Sequence, residues 1–218
     1  MSNAYLKSYN PETDSEIAIN FGIGDYKFGK AECKRNLREL FGLKKGSWPI
    51  IGVAAPFDKH SGYELLIPVA DMLADSGFQL VLAGSGNESC EMFFTGLNLR
   101  RPSEAGVHIR YYREVERPIY AGCDVFLSLG KFRSIGCGHL KALRYGALPV
   151  VYEFSNTRED LRDPINGDGP GFTFCEYNPS ALFDACIRAY DIYTVRDGWD
   201  DMVRRAILFA GRKADGCL

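Results

Sequence analysis

Short apolar runs rich in Val, Ile and Leu recur along the chain, each closed by glycine or polar residues and followed by a segment with helical spacing. Residues 49–57, 79–82, 107–111, 125–129, 148–153 and 172–174 read as strands. Between them, Leu65, Val69, Met72 and Leu73 form one helical face, Leu140, Leu143 and Ala147 another, and Leu182, Ala185, Cys186 and Ala189 a third. An earlier helix is predicted over residues 29–41, with Leu37, Leu40 and Phe41 toward the core. A last one carries Trp199, Met202, Val203, Ala206 and Phe209 as its apolar stripe. Parallel strands need a crossover of about a dozen or more residues, so strands alternating with helices predict an α/β fold of three layers: a Rossmann-like parallel sheet with helices on both faces.

Residues 1–27 lack periodicity and read as an extended lead-in, which leaves residues 28–218 as the Rossmann-like domain. The segment from Asp163 to Gly171, with its run Asn166 to Gly171, reads as a loop by composition. With 218 residues, 46% of them hydrophobic and 25% charged, the chain is expected to build a single core. A net charge of −2, with no basic run longer than Lys44-Lys45, lacks the electrostatic footprint of a nucleic-acid binder. The seven cysteines contain no Cys-x-x-Cys pair, which argues against zinc and against a disulfide framework. No apolar stretch reaches the length of a membrane span, and the amino terminus has no secretory pattern. A soluble, cytoplasmic protein is the expectation.

In an open parallel sheet, ligands bind beyond the carboxyl ends of the strands, so candidate chemistry lies in the loops that follow them. After the second strand comes Gly84-Ser85-Gly86-Asn87, which serves either a tight turn or the close approach of backbone to a ligand. After the fourth, residues 130–139 carry Gly136, Cys137 and Gly138 at the start of a helix. Free N–H groups and the positive helix end suit an anion there, and glycine capping accounts for the same residues. Cys137 and His139 lack an orienting carboxylate and do not face each other on a helix, so a nucleophilic role is disfavoured. His60 and His108 have no partners by spacing.

Several stretches, in register over nearly the whole chain, resemble one family. Tyr9-Asn10-Pro11-Glu12-Thr13-Asp14, Gly29-Lys30-Ala31, Val81-Leu82-Ala83-Gly84-Ser85-Gly86, Ile119-Tyr120-Ala121-Gly122-Cys123-Asp124, Leu143-Arg144-Tyr145-Gly146 with Leu148-Pro149-Val150-Val151, and Gly171-Phe172-Thr173-Phe174 are similar to the C-terminal domain of bacterial glycogen synthases and plant starch synthases. The resemblance implies one half of a GT-B glycosyltransferase, the half that holds ADP-glucose, in enzymes that extend an α-1,4-glucan with retention. It implies no cofactor. It also implies as partners ADP or ADP-glucose, an α-glucan, and a separate N-terminal glycosyltransferase domain.

The resemblance breaks where the family's chemistry sits. Its loop after the first strand carries an Arg and a Lys that neutralise the departing diphosphate; alignment on the glycine puts Pro56 and Ser61 there. Its glutamate beside the donor sugar is matched by Arg133, and its Thr-Gly-Gly-Leu loop by Phe154-Ser155-Asn156-Thr157. Lys59 and Arg133 are the remaining candidates to hold an anion, and Tyr111 matches a family tyrosine near the nucleotide base. The expectation is a retained scaffold with a degenerate catalytic centre.

Overall fold

The computed structural model of the chain describes residues 6–58, 60–109, 113–130, 138–153, 161 and 169–215. In chain order its elements are α1 (Tyr26–Leu40), β1 (Ile50–Ala54), α2 (Tyr63–Leu66), a 3-10 turn (Ile67–Val69), α3 (Ala70–Asp75), β2 (Gln79–Ala83), α4 (Glu88–Arg100), β3 (Ala105–His108), α5 (Arg113–Gly122), β4 (Val125–Ser128), α6 (Gly138–Arg144), β5 (Leu148–Tyr152), β6 (Phe172–Phe174), α7 (Pro179–Thr194) and α8 (Arg196–Asp215). The strands form one sheet in the order β3-β2-β1-β4-β5-β6. Every pairing is parallel, with Ile50 beside Gln79, Ile51 beside Val125, Val125 beside Leu148, and Val150 beside Phe172. The alternation of strand and helix therefore yields the three-layer α/β architecture that it predicts.

β1 and β2 are buried along their whole length, as strands covered by helices on both faces must be. β1 is shorter than the apolar run 49–57 suggests. It ends at Ala54, and Phe57 returns to the sheet only through an isolated parallel bridge to Gly86. β3 lies at Ala105–His108, upstream of the predicted 107–111, and Tyr111 falls outside the described residues. Two residues assigned to core faces point outward: Leu40 is 44% and Met72 48% exposed. On α1 the buried arc runs through Tyr26, Gly29, Cys33 and Leu37, and Leu40 lies outside it. Ala147 is buried but follows α6 rather than riding on it.

The lead-in is packed against the domain. Tyr9, Asp14 and Phe21 are buried. Arg117 of α5 forms an ion pair with Asp14 at 2.6 Å and donates to the Ser8 carbonyl at 2.9 Å. Tyr145 donates its hydroxyl proton to the same Asp14 carboxylate. Next to it on α5, Glu116 pairs with Lys141 of α6 at 2.8 Å and accepts from Tyr120 and Tyr9 at 2.9 and 3.2 Å. Two ion pairs with every member buried hold only when most of their remaining hydrogen-bonding capacity is met; the tyrosines and the Ser8 carbonyl meet much of it, and the Arg117 Nε, which makes no hydrogen bond to a described residue, lies 3.6 Å from the Glu16 carboxylate. α1 begins at Tyr26, three residues before the predicted start, and its Lys30 donates to the carbonyls of Ala121, Cys123 and Tyr145, each at 3.1 Å. That ammonium closes the carboxyl ends of α5 and α6 together. No described helix is long and apolar enough to cross a membrane.

Candidate functional site

Strand order reverses between β1 and β4, since the chain builds β2 and β3 outward on one side of β1 and returns to place β4 on the other. A crevice at such a reversal is where open α/β sheets take ligands. Its walls are the loop after β1, residues 55–62, and the loop after β4, which begins at Leu129. The two walls touch. Gly62 has φ +79°, and a Cβ built there would lie 2.5 Å from the Leu129 carbonyl oxygen. Only glycine combines that backbone with that approach.

The loop after β1 is closed on itself. Its Phe57 is buried against Tyr63 and Phe94, with ring centroids 4.6 and 5.4 Å away. The Tyr63 hydroxyl donates back to the Ala55 carbonyl at 2.9 Å. Between them Asp58 organises a turn: its carboxylate accepts from the His60 N–H at 2.8 Å and from the Ser61 hydroxyl at 2.9 Å. Burial tends to raise this carboxyl, but the Ser61 hydroxyl and the His60 and Ser61 N–H groups outweigh it and hold it below the usual carboxylate range. Asp58 is therefore ionised at neutral pH. Pro56, exposed on the same loop, offers no N–H, and the buried Ser61 spends its hydroxyl on Asp58. Lys59 lies outside the described residues.

Gly84 and Gly86 line the neighbouring loop, and the structure gives each a partner within the protein. A Cβ on Gly84 would strike the Ala55 carbonyl and the Phe57 ring, and one on Gly86 would lie 2.8 Å from the Phe57 carbonyl. Their N–H groups donate to the His108 carbonyl at 3.1 Å and to the Glu91 carboxylate at 2.7 Å. The two glycines thus admit the β1 loop, and both N–H groups are engaged. His108, unpartnered by spacing, packs on the Phe41 ring at 4.4 Å. Gly138 opens α6 above Phe126, whose ring would lie 3.1 Å from a Cβ at that position. Tyr111, Arg133, Gly136, Cys137 and the stretch 154–157 lie outside the described residues.

Asp58 escaped the sequence reading. Its signal was present in Asp58-x-x-Ser61, the spacing at which an aspartate caps its own turn. Lys141 escaped as well. It stands one turn into α6, but its ammonium is held by Glu116 at 2.8 Å and the Tyr9 hydroxyl at 3.0 Å, so it points into the protein and away from the crevice. Among the described residues, no group of three or more His, Cys, Asp or Glu side chains is placed to hold a metal ion.

Six parallel strands in this order, with a crevice between the β1 and β4 loops, define a Rossmann-like domain, and the fold matches one half of the GT-B glycosyltransferases. The fold matches the catalytic domain of starch synthase IV from Arabidopsis thaliana, solved with ADP and acarbose, at a TM-score of 0.84 and 23% identity, over 96% of this chain and 48% of that one. It also matches the C-terminal domain of a group 1 glycosyl transferase from Francisella tularensis at a TM-score of 0.65 and 10% identity, over 94% and 95% of the two chains. By sequence the chain is 33% identical over 202 residues to a glycogen synthase of Bacillus cereus, covering 91% of this chain and 42% of that protein. No protein-family model matches it. The chain is thus similar to the C-terminal GT-B half of the glycogen synthases, and it spans less than half the length of the relatives it matches.

Proposed function

We propose that this domain no longer transfers sugar by itself and serves as a binding or interaction module, with ADP, ADP-glucose or an α-glucan as weak ligands. One observation carries the reading: the β1 loop meets the crevice with Pro56, Ser61 and an ionised Asp58, where the family resemblance calls for two cations. Charge-assisted hydrogen bonds contribute roughly 1.5–3 kcal/mol each, so losing two to a departing diphosphate slows transfer by at least about 10²-fold. The carboxylate adds repulsion. Arg133, aligned with the family's glutamate, removes the carboxylate beside the donor sugar by the same resemblance. The packing residues of the scaffold are retained, as in a descendant that kept its fold and lost its chemistry. Scattered cysteines without a disulfide framework favour action in the cytoplasm.

The test is a transfer assay with ADP-glucose and glycogen on the purified chain. No turnover above background is expected, and measurable turnover overturns the proposal. A second reading is favoured by the chain spanning 42% of its Bacillus cereus relative: the domain is the donor half of an active ADP-glucose-dependent synthase whose N-terminal half is a separate piece. That reading requires donor affinity. Calorimetry that finds no ADP or ADP-glucose binding up to about 1 mM, an affinity of roughly 4 kcal/mol, removes it.

A further inference from the structure

A second cavity lies at the opposite end of the sheet from the crevice, between α1 and the start of α8. It encloses about 370 Å³, within the size range of small-molecule sites. Asp124, which immediately precedes β4 and accepts the Ile50 N–H at 2.7 Å, marks its floor at the amino ends of the strands. Its walls are aromatic. Tyr193 and Trp199 meet edge to face at 5.1 Å, and both line the space.

Cations outnumber carboxylates around this cavity: Lys27, Lys30, Lys34 and Arg196 stand against Asp124 and Asp200. Lys30 is structural, since its bonds to three carbonyls account for its ammonium. The others retain donors. Lys34 pairs with Asp124 at 2.6 Å and donates to the Tyr193 hydroxyl at 2.9 Å, which leaves one N–H. Lys27 is exposed and engages Asp200 through a single ion pair at 2.5 Å. The Arg196 guanidinium lies over the Tyr193 ring at 4.3 Å and makes no hydrogen bond to a described residue. A guanidinium laid on a ring is pre-oriented, and its open fork matches the oxygens of a phosphate.

We propose that this cavity binds a small phosphomonoester, with its ring or sugar body against Tyr193 and Trp199 and its phosphate held by Arg196, Lys27 and Lys34. The site stands apart from the crevice and does not depend on the function proposed above. Its burial of aromatic surface beside surplus positive charge is the chemistry that separates a phosphorylated ring compound from a neutral one.

Trp199 supplies the readout. The chain has two tryptophans, so Trp48→Phe leaves Trp199 as the sole indole. Titration of that variant with phenyl phosphate is expected to change Trp199 emission saturably, with a dissociation constant of roughly 0.1–1 mM, and phenol is expected not to saturate. Adding Arg196→Gln should weaken binding about tenfold or more, and Lys27→Gln should weaken it by a smaller factor. Both side chains are exposed, and an unchanged melting temperature verifies that each variant is folded. Absence of a saturable change up to about 10 mM phenyl phosphate overturns the proposal. So does equal binding of phenol, or binding that neither substitution weakens.

Discussion

Asp58 keeps its charge because its neighbours are donors: the Ser61 hydroxyl and the N–H groups of the turn it caps. A diphosphate placed at the crevice has to approach that charge. At about 6 Å and an effective dielectric near 40, one like-charge contact costs on the order of 1 kcal/mol. Asp58→Asn preserves the turn's acceptor and removes the charge, so ADP affinity measured by calorimetry is expected to rise about three- to tenfold. The losses at Pro56 and Ser61 were legible in the sequence because they are substitutions in a known pattern. The carboxylate leaves only the Asp58-x-x-Ser61 spacing in the sequence, which signals a turn but not the donors that hold its charge. Leu40 and Met72 depart from their predicted core faces for a related reason. Helical spacing counts apolar residues but does not tell which arc the sheet will cover, and both sit just outside it.

Among the elements, α4 was invisible to periodicity. Phe94 and Leu97 are buried while Met92 and Leu99 are 64% and 74% exposed, so its apolar residues share no single face. The contacts of residues 8–14 with α5 and α6 carry no periodic signal because they are polar. Asp14 shows how much those contacts matter. Asp14→Asn takes from the buried Arg117 its carboxylate at 2.6 Å and leaves it only Glu16 at 3.6 Å, and breaking one side of a buried pair costs about 3–5 kcal/mol, here toward the lower end. Denaturant unfolding should show that loss with little change in slope. The same network sets an alkaline limit. Burial by itself lowers the Lys141 ammonium, but Glu116 and Tyr9 more than offset this and raise it above its ordinary 10.5. Burial and then Asp14 raise the Tyr145 hydroxyl above its ordinary 10.0. Both groups hold their proton more tightly when folded, so their stabilisation is complete below those values and is lost as pH rises through the folded ones. Stability should be flat through neutrality and fall above about pH 10, and Tyr145→Phe should flatten part of the alkaline slope.

For the molecule as a whole, alternating patterns revealed a parallel sheet but not its strand order, because order is set by contacts between residues far apart. The β1–β4 neighbourhood that creates the crevice joins Ile51 to Val125, a pairing no local window contains. The position of the lead-in is non-local in the same way. A chain cut to begin at residue 28 lacks Asp14, the Ser8 carbonyl and Tyr9, which leaves Arg117, Lys141 and Glu116 short of partners. Such a chain is expected to lose fixed tertiary packing, visible as a weakened near-ultraviolet circular dichroism signal, while much of its helical signal persists.

The docked amino-terminal segment also constrains synthesis. Tyr9 and Lys141 are 132 positions apart, so at about 5–20 residues per second the ribosome needs on the order of ten seconds after delivering the tyrosine to deliver its partner. Throughout that interval Asp14 has neither Tyr145 nor a completed pocket to enter. The part of this domain that is translated early is therefore among the last to settle, and until it does the nascent chain displays the acidic groups that the finished fold conceals.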